Sequence, residues 1–276
     1  MTLSGLLREG REALQAAGIP EWDLDAWYLL EYAAHCTKNE YFLRPEKEVL
    51  PQEKQLYRTL IRKRSAHIPL QYLTGSQEFM GLSFFVDENV LIPRQDTEIL
   101  VEEALRALGS GMRVLDVCTG SGCILLSLLK LCAGLEGTGT DLSEKALQVA
   151  GENARRLGVE ASFVQGDLFE PVSGKYDCIV SNPPYIASRE VDALMEEVRD
   201  HEPRMALDGG EDGLYFYRKI AVQSPKYLND RGRIFLEIGF DQGEAVAGLL
   251  APAFDEVRIV QDLAGLDRVV CGILRS

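Results

Sequence analysis

Histidine is scarce in this chain, at three residues, and none of its six cysteines belongs to a CxxC pair. Together these argue against a structural zinc site. No long hydrophobic run exists either. The longest apolar stretch, near Cys123–Leu129, is cut by Lys130, far short of the about 20 apolar residues a membrane helix requires. The opening MTLSGLLREGRE puts charge after its short apolar run and offers no small-residue cleavage site, so it does not read as a signal peptide. Glycine (25) and proline (11) are scattered without period, which excludes a collagen-like or linker protein. An excess of basic charge is missing as well.

What is present is an ordinary globular composition, 46% hydrophobic and 26% charged over 276 residues, enough for one large domain or two modest ones. A chain of this length does not need disulfides. Cys123, Cys132 and Cys178 lie in apolar runs and read as small core residues, and the expected compartment is the reducing cytosol. The net charge is −14, and all of it falls after residue 75: residues 1–75 hold 10 basic and 10 acidic side chains, residues 76–276 hold 19 and 33. Phosphate backbones attract Lys and Arg, so the longer part is poorly suited to tight, sequence-independent nucleic-acid binding. An acidic surface suits a cationic small molecule or a basic protein.

The spacing predicts a small all-helical domain over 1–75, with helices at Thr2–Ala17, Glu21–Cys36, Thr37–Leu43, Pro51–Ala66 and Pro69–Leu73. Thr37 followed by Glu40 reads as a capping box. Residues 76–93 change period: Phe79, Leu82, Phe84–Val86 and Val90–Ile92 are strand-like, and Asp87–Asn89 is expected to turn a β-hairpin linking the two halves. Over 94–276 strands and helices alternate, which predicts an α/β domain with a mostly parallel sheet and helices on both faces. The last two strands, separated only by Asp262–Asp267, need an antiparallel edge.

Three motifs lie at predicted strand ends. Asp116-Val117-Cys118-Thr119-Gly120-Ser121-Gly122 leaves a strand through a glycine turn and opens a helix, so a ligand can approach the backbone and meet helix N-terminal amides. Asp141, 25 residues after Asp116 and followed by Leu142, ends the next strand, where a carboxylate can bind both ribose hydroxyls of a nucleoside. The plainer reading is an ordinary βα turn with a helix-capping Asp. GxGxxG is absent, which argues against a dinucleotide. Asp167-Leu168 follows the third strand; its carboxylate could accept an adenine amine and Leu168 could flank the ring. Asn182-Pro183-Pro184-Tyr185 follows the fourth. Two prolines fix that backbone and remove two donors. The Asn182 amide and Pro183 carbonyl can then both accept from one planar NH₂, with Tyr185 packed on the same flat group.

Together these motifs resemble a class I S-adenosylmethionine-dependent methyltransferase of the (N/D)PPY amino-group type. Gln71–Phe79, Leu91–Glu98, His201–Leu207 and Gly209–Gly213 narrow the resemblance to the PrmC/HemK family, over essentially the whole chain. The resemblance implies a helical partner-binding domain, a hairpin and a Rossmann-like seven-stranded sheet, mostly parallel with an antiparallel last strand. It implies methylation of the glutamine N5 in the GGQ motif of class I peptide chain release factors, by a monomer that uses no metal, with S-adenosylhomocysteine as the product. Carried over by position, Asp116 and Cys118–Gly122 line the methionine part of the cofactor. Asp141 and Leu142 take the ribose, Asp167 and Leu168 the adenine, and Asn182–Tyr185 the substrate glutamine. Arg94 and Thr97 close over the site. The sequence departs from the family where Cys118 replaces the usual Gly and Gln95 the usual Pro; Cys118 is expected to need an ordinary φ. No His or carboxylate base stands in the motif, so orientation and electrostatics are expected to carry the chemistry.

Four secondary readings complete the picture. A nucleic-acid amino methyltransferase acting on adenine N6 or guanine N2 uses the same Asn-Pro-Pro-Tyr chemistry on an extruded base, against which stand the acidic domain and the absence of a basic recognition domain. A non-catalytic binding module is disfavoured by the intact motifs, and an NAD-linked oxidoreductase by the missing glycine fingerprint. The basic run Arg58, Arg62, Lys63, Arg64 and His67 reads as a solvated face, or else as a partner contact.

Overall fold

The computed structural model describes all 276 residues, and the chain divides into two compact units, Met1–Gly75 with Met195–His201, and Ser76–Leu194 with Glu202–Ser276.

The first unit is built from α1 (Leu3–Ala16), α2 (Trp22–Ala34), α3 (Lys38–Leu43), α4 (Pro51–Arg64) and α5 (Leu70–Thr74). Its helix starts follow capping chemistry. The Thr2 hydroxyl accepts from Gly5 N–H, and Thr37 and Glu40 form the capping box expected of them. Leu3, Leu6, Leu7 and Leu14 of α1 pack with Trp27, Leu29 and Leu30 of α2 and Tyr57, Leu60 and Ile61 of α4. Gly10 is where α4 comes closest to α1: a Cβ there would lie 1.9 Å from the Tyr57 hydroxyl. That hydroxyl donates to Ala26 O at 3.2 Å.

The basic run on α4 is not one solvated face. Arg58 pairs with Glu9 at 2.6 Å. Arg64 is only 4% exposed and donates to Asp25 and to Glu197, each at 2.7 Å. Its charge is therefore internal to the unit, and only Arg62 and Lys63 face outward unpaired with that core. Periodicity could not reveal this, because Glu197 comes from a segment more than a hundred residues away.

The second unit opens with β1 (Gln77–Phe79) and β2 (Leu82–Phe84), which pair antiparallel. The hairpin is present, but its turn is Met80-Gly81, both at positive φ (51° and 69°), the conformation of a tight two-residue connection. Asp87–Asn89 does turn, with Asn89 N–H donating to Asp87 Oδ1 at 3.0 Å. Val90–Ile92 nevertheless does not return as a strand, and Ile92 N–H donates to Glu202 instead.

Then follow α6 (Glu98–Leu105), β3 (Arg113–Val117), α7 (Cys123–Leu131), β4 (Glu136–Asp141), α8 (Glu144–Leu157), β5 (Ser162–Gln165), β6 (Tyr176–Ser181) and α9 (Ser188–Val191). The chain next contributes α10 (Glu196–His201) to the first unit and continues as α11 (Tyr215–Gln223), β7 (Leu228–Glu237), α12 (Gly243–Leu250), β8 (Phe254–Gln261) and β9 (Asp267–Leu274). The sheet order is β5-β4-β3-β6-β7-β9-β8. All neighbours are parallel up to β7, and β9 is antiparallel to both β7 and β8. The final strand thus inserts inside the sheet and leaves β8 at the edge. Chain order reverses between β3 and β6, the switch point where open α/β sheets bind ligands. Two apolar layers cover the sheet, one around Leu100, Leu125, Val114 and Val180, the other around Leu115, Ile179, Tyr217 and Leu236.

Replacing Arg64 by Met should destabilise the protein by about 3 kcal/mol or more, because it strands the buried Asp25 carboxylate. Urea titration measures this; a change under about 1 kcal/mol would mean that Asp25 carries no charge in the folded state.

Candidate active site

A cavity opens at the carboxyl ends of β3, β4, β5 and β6, on the switch point. Its wall includes Cys118–Ser121, Asp141–Ser143, Gly166–Leu168, Asn182 and Pro184, with Arg94 and Thr97 from the segment before α6. Most of the residues singled out from the sequence therefore meet in one place. Asp116, Gly122, Pro183 and Tyr185 do not reach the wall.

The turn after β3 has left-handed backbone at three alternate residues: Cys118 (φ 62°), Gly120 (54°) and Gly122 (78°). The expectation of an ordinary φ at Cys118 is thereby corrected. The turn needs a left-handed residue between strand and helix whatever side chain the position carries. At Gly120 no atom lies within 4 Å of where a Cβ would stand, so the backbone is open to the cavity. At Gly122 a Cβ would press on Ala150 at 3.2 Å, so that glycine serves the contact between turn and α8. Leu168 repeats the left-handed conformation after β5 (φ 51°).

Three carboxylates, one buried and two partly exposed, hold these turns. Asp116 is fully buried behind the turn and accepts from the Thr119 hydroxyl at 2.6 Å. Burial pushes its carboxyl up to about 7, against the pull of Thr119. Asp141 accepts from Gly120 N–H and Ser143 N–H, each at 2.9 Å, and burial raises its carboxyl too. It thus both orders the glycine turn and presents oxygen to the cavity. Asp167 is anchored by Lys219 of α11 at 2.8 Å. Burial, followed by the charges of Asp141, Asp116 and Asp167, pushes the Cys118 thiol well above its ordinary range. It is a neutral thiol, not a nucleophile.

The Asn182–Tyr185 turn is gripped from outside. Ile186 N–H donates to Leu207 O at 3.0 Å, Gly209 N–H to Ile186 O at 2.8 Å, and Ser188 N–H to Gly210 O at 2.9 Å. A Cβ on Gly209 would sit 2.7 Å from Tyr185 Cα, and one on Gly213 would sit 2.3 Å from Tyr185 O. The Gly209–Gly213 segment is a backbone clamp on the turn. Glu202, buried, accepts from Arg94 and from Ile92 N–H at 3.3 Å, and so secures the segment that carries Thr97. Asn182 Nδ2 donates to Thr97 Oγ1 at 3.4 Å. Tyr185 packs on the Leu236 side of the sheet, and burial pushes its phenol up to about 12.

Sequence reasoning missed Phe216 and Met205 on the wall, and Glu237 behind it. Glu237 had a signal: a lone carboxylate directly after the apolar run Ile234-Phe235-Leu236, where ionised groups are rarely buried without purpose.

The doubly wound sheet, the glycine turn after β3, the acid after β4 and the Asn-Pro-Pro-Tyr turn after β6 define the class I methyltransferase fold. Residues 94–214 match the family described as the Methyltransferase small domain, and residues 5–75 the PrmC N-terminal domain. The chain belongs to the release factor glutamine methyltransferase family. It is 41% identical over 273 residues to the protein of that name from Geobacter sulfurreducens, covering 98% of this chain and 96% of the other. The namesake from Moorella thermoacetica is 43% identical over 275 residues, covering 97% of each. In fold it is similar to a methyltransferase from Pyrococcus furiosus, with a TM-score of 0.56 at 16% identity over 72% of this chain and 91% of that one.

Cys118→Gly should stabilise the protein by about 0.5–1 kcal/mol: it removes a left-handed cost of about 1–2 kcal/mol and adds about 0.5–1 kcal/mol of chain entropy. Denaturant titration reads the difference; a loss of stability would mean that packing of the thiol outweighs backbone strain.

Proposed function

We propose that this chain transfers a methyl group from S-adenosylmethionine to the side-chain N5 of the glutamine in the GGQ motif of class I peptide chain release factors, in the cytosol. The observation that carries the reading is the likeness to release factor glutamine methyltransferases from end to end, helical unit included. The site residues fit the cofactor. Gly120 leaves open backbone for its methionine part, Asp141 offers carboxylate oxygen to the ribose, and Asp167 and Leu168 flank the position of the adenine.

When bound, S-adenosylmethionine supplies an electrophilic methyl group on a sulfonium. A glutamine amide nitrogen is a weak nucleophile because its lone pair is delocalised into the carbonyl. The work of the protein is therefore orientation. Asn182 Oδ1, on the cavity wall, accepts from one N–H of the substrate amide, and the carbonyl of the adjoining Pro183, which lies off that wall, accepts from the other; together they polarise the nitrogen and aim it. Pro183 and Pro184 hold those acceptors still, and the Gly209–Gly213 clamp fixes the turn from behind. Arg94 and Thr97 stand on the same wall. Transfer to the oriented nitrogen would break the sulfonium C–S bond, form an N–C bond and release one amide proton to solvent, with Asn182 and Pro183 holding the amide throughout. Positioning of this kind supplies several kcal/mol of the barrier.

The test is incubation with S-adenosylmethionine and an intact class I release factor, followed by peptide mass spectrometry. One methyl on the GGQ glutamine is expected. Asn182→Ala should lower kcat by about a hundredfold or more. It should keep the thermal stabilisation given by the cofactor, about 2.7 kcal/mol at a hundredfold excess over Kd. Equal losses of turnover and cofactor binding would contradict the role of Asn182, and methylation of RNA or DNA alone would overturn the substrate.

A further inference from the structure

A carboxamide has two ends of nearly the same shape. One accepts hydrogen bonds and the other only donates. If Asn182 is to accept from an amide or amine, its oxygen must face the cavity and its NH₂ must be held behind. Something must enforce that choice. The parallel register of β6 and β7 pairs Ser181 with Leu236, so the next residues, Asn182 and Glu237, stand abreast at the sheet's end. Glu237 is 2% exposed. Thr97 and Asn182 are the polar side chains that bear on its carboxylate and favour its ionised form. Asn182 Nδ2 also reaches Thr97 Oγ1, at 3.4 Å. Glu237 Oε2 has no hydrogen-bond partner of its own.

We propose that Glu237, acting with Thr97, is the positioning residue that fixes the rotation of the Asn182 carboxamide and so makes the site selective for an acceptor that donates N–H bonds. The inference rests on the reading of Asn182 given above. An ionised carboxylate only accepts. Beside it, Asn182 must turn its NH₂ inward, and Thr97 must spend its proton on Glu237 and offer its lone pairs to Asn182. All three groups are thereby oriented by one negative charge, and Asn182 Oδ1 is the end left for the cavity. Reversing the carboxamide would set oxygen against carboxylate and aim a donor at the acceptor's own NH₂.

The arrangement has a signature in pH. The groups facing Glu237 are Thr97 and Asp96 before α6, Asn182 and Tyr185 after β6, Tyr217 on α11, Cys123 on α7 and Arg268 on β9. Arg268 is itself paired with Asp96 at 3.1 Å and Asp262 at 3.0 Å. Burial raises the Tyr185 and Cys123 acids to about 12 and that of Tyr217 well above its ordinary range, so none of these loses a proton near neutrality. Burial likewise lifts the Glu237 carboxyl, to about 7. Below that value Glu237 takes up a proton, becomes a donor and no longer selects one rotation of Asn182. Turnover therefore rises with pH through about 7 and is lost as pH falls.

The experiment measures kcat, KM for the release factor and cofactor Kd from pH 6 to 9 in the parent, Glu237→Gln, Thr97→Val and Thr97→Ser. Glu237→Gln and Thr97→Val should each lower kcat by about tenfold to a hundredfold, with cofactor Kd within about twofold. The limb near pH 7 should vanish in Glu237→Gln, and Thr97→Ser should recover the parent's rate. The double variant Glu237→Gln/Thr97→Val should be no worse than the poorer single one, since the residues act as a unit. Parental kcat and an unchanged limb in Glu237→Gln would overturn the proposal. So would a Thr97→Ser as slow as Thr97→Val; that comparison decides even if Glu237→Gln does not fold. A parent chain that methylates no release factor overturns the functional reading instead. The variants are then compared on an RNA guanine amine, which presents Asn182 with the same NH₂ donor, and equal rates there overturn the positioning role as well.

Discussion

Carboxylates buried at the ends of parallel strands organise the second unit. Asp116 is the penultimate residue of β3, Asp141 ends β4 and Glu237 ends β7, and burial raises the acid of each. A charge taken out of water must find hydrogen-bond donors or give up its ionisation. Here the donors are the loops of the cavity: the Thr119 hydroxyl for Asp116 and the Gly120 and Ser143 amides for Asp141, while Thr97 and Asn182 are the polar groups that bear on Glu237. Satisfying the carboxylates and shaping the cavity are thus one process. The glycine turn adopts its left-handed backbone partly because Asp141 draws Gly120 N–H toward it, and Asn182 is aimed partly because Glu237 takes its NH₂.

The same logic governs segments that carry no ligand-facing chemistry. Glu202 draws Arg94 and Ile92 N–H together and so fixes the strand-like run that never becomes a strand. Gly209 and Gly213 admit the Tyr185 backbone where any side chain would collide. Within the first unit Arg64 plays the part that Thr119 or Thr97 plays in the second, holding Asp25 and Glu197 in a nearly dry interior. In each case a long-range polar contact locks a surface segment onto a packed scaffold, and the apolar core supplies the low dielectric that gives the contact its strength.

Much of this was legible in the chain. The helix start marked by the capping box at Thr37 falls where the spacing puts it, because a cap is a local interaction. Arg113–Val117, Tyr176–Ser181 and Ile234–Leu236 carry the apolar residues of buried strands, whereas Glu136–Asp141 is built of glycine and threonine between two acids; it is the alternation of strands with helices that points to a parallel sheet. The hairpin turn was misread because Met80-Gly81 lacks the usual Asn-Gly or Asp-Gly composition while Asp87–Asn89 has turn residues. The burial of Arg64 was hidden because its partner Glu197 is remote. Glu237 was passed over because a carboxylate acquires a role only from its neighbours.

The order of strands and helices, the glycine turn, the acids near the ends of β3 and β4 and after β5 and the rigid Asn-Pro-Pro-Tyr turn are properties of the sequence by itself, since each depends on contacts between residues near in the chain. The tertiary structure alone decided that β9 slides between β7 and β8, that Cys118 adopts a left-handed backbone, that Gly209–Gly213 closes on Tyr185 and that Glu237 stands beside Asn182. Those outcomes depend on strand register and on buried charge seeking donors far along the chain. Neither quantity exists until the sheet has formed and excluded water.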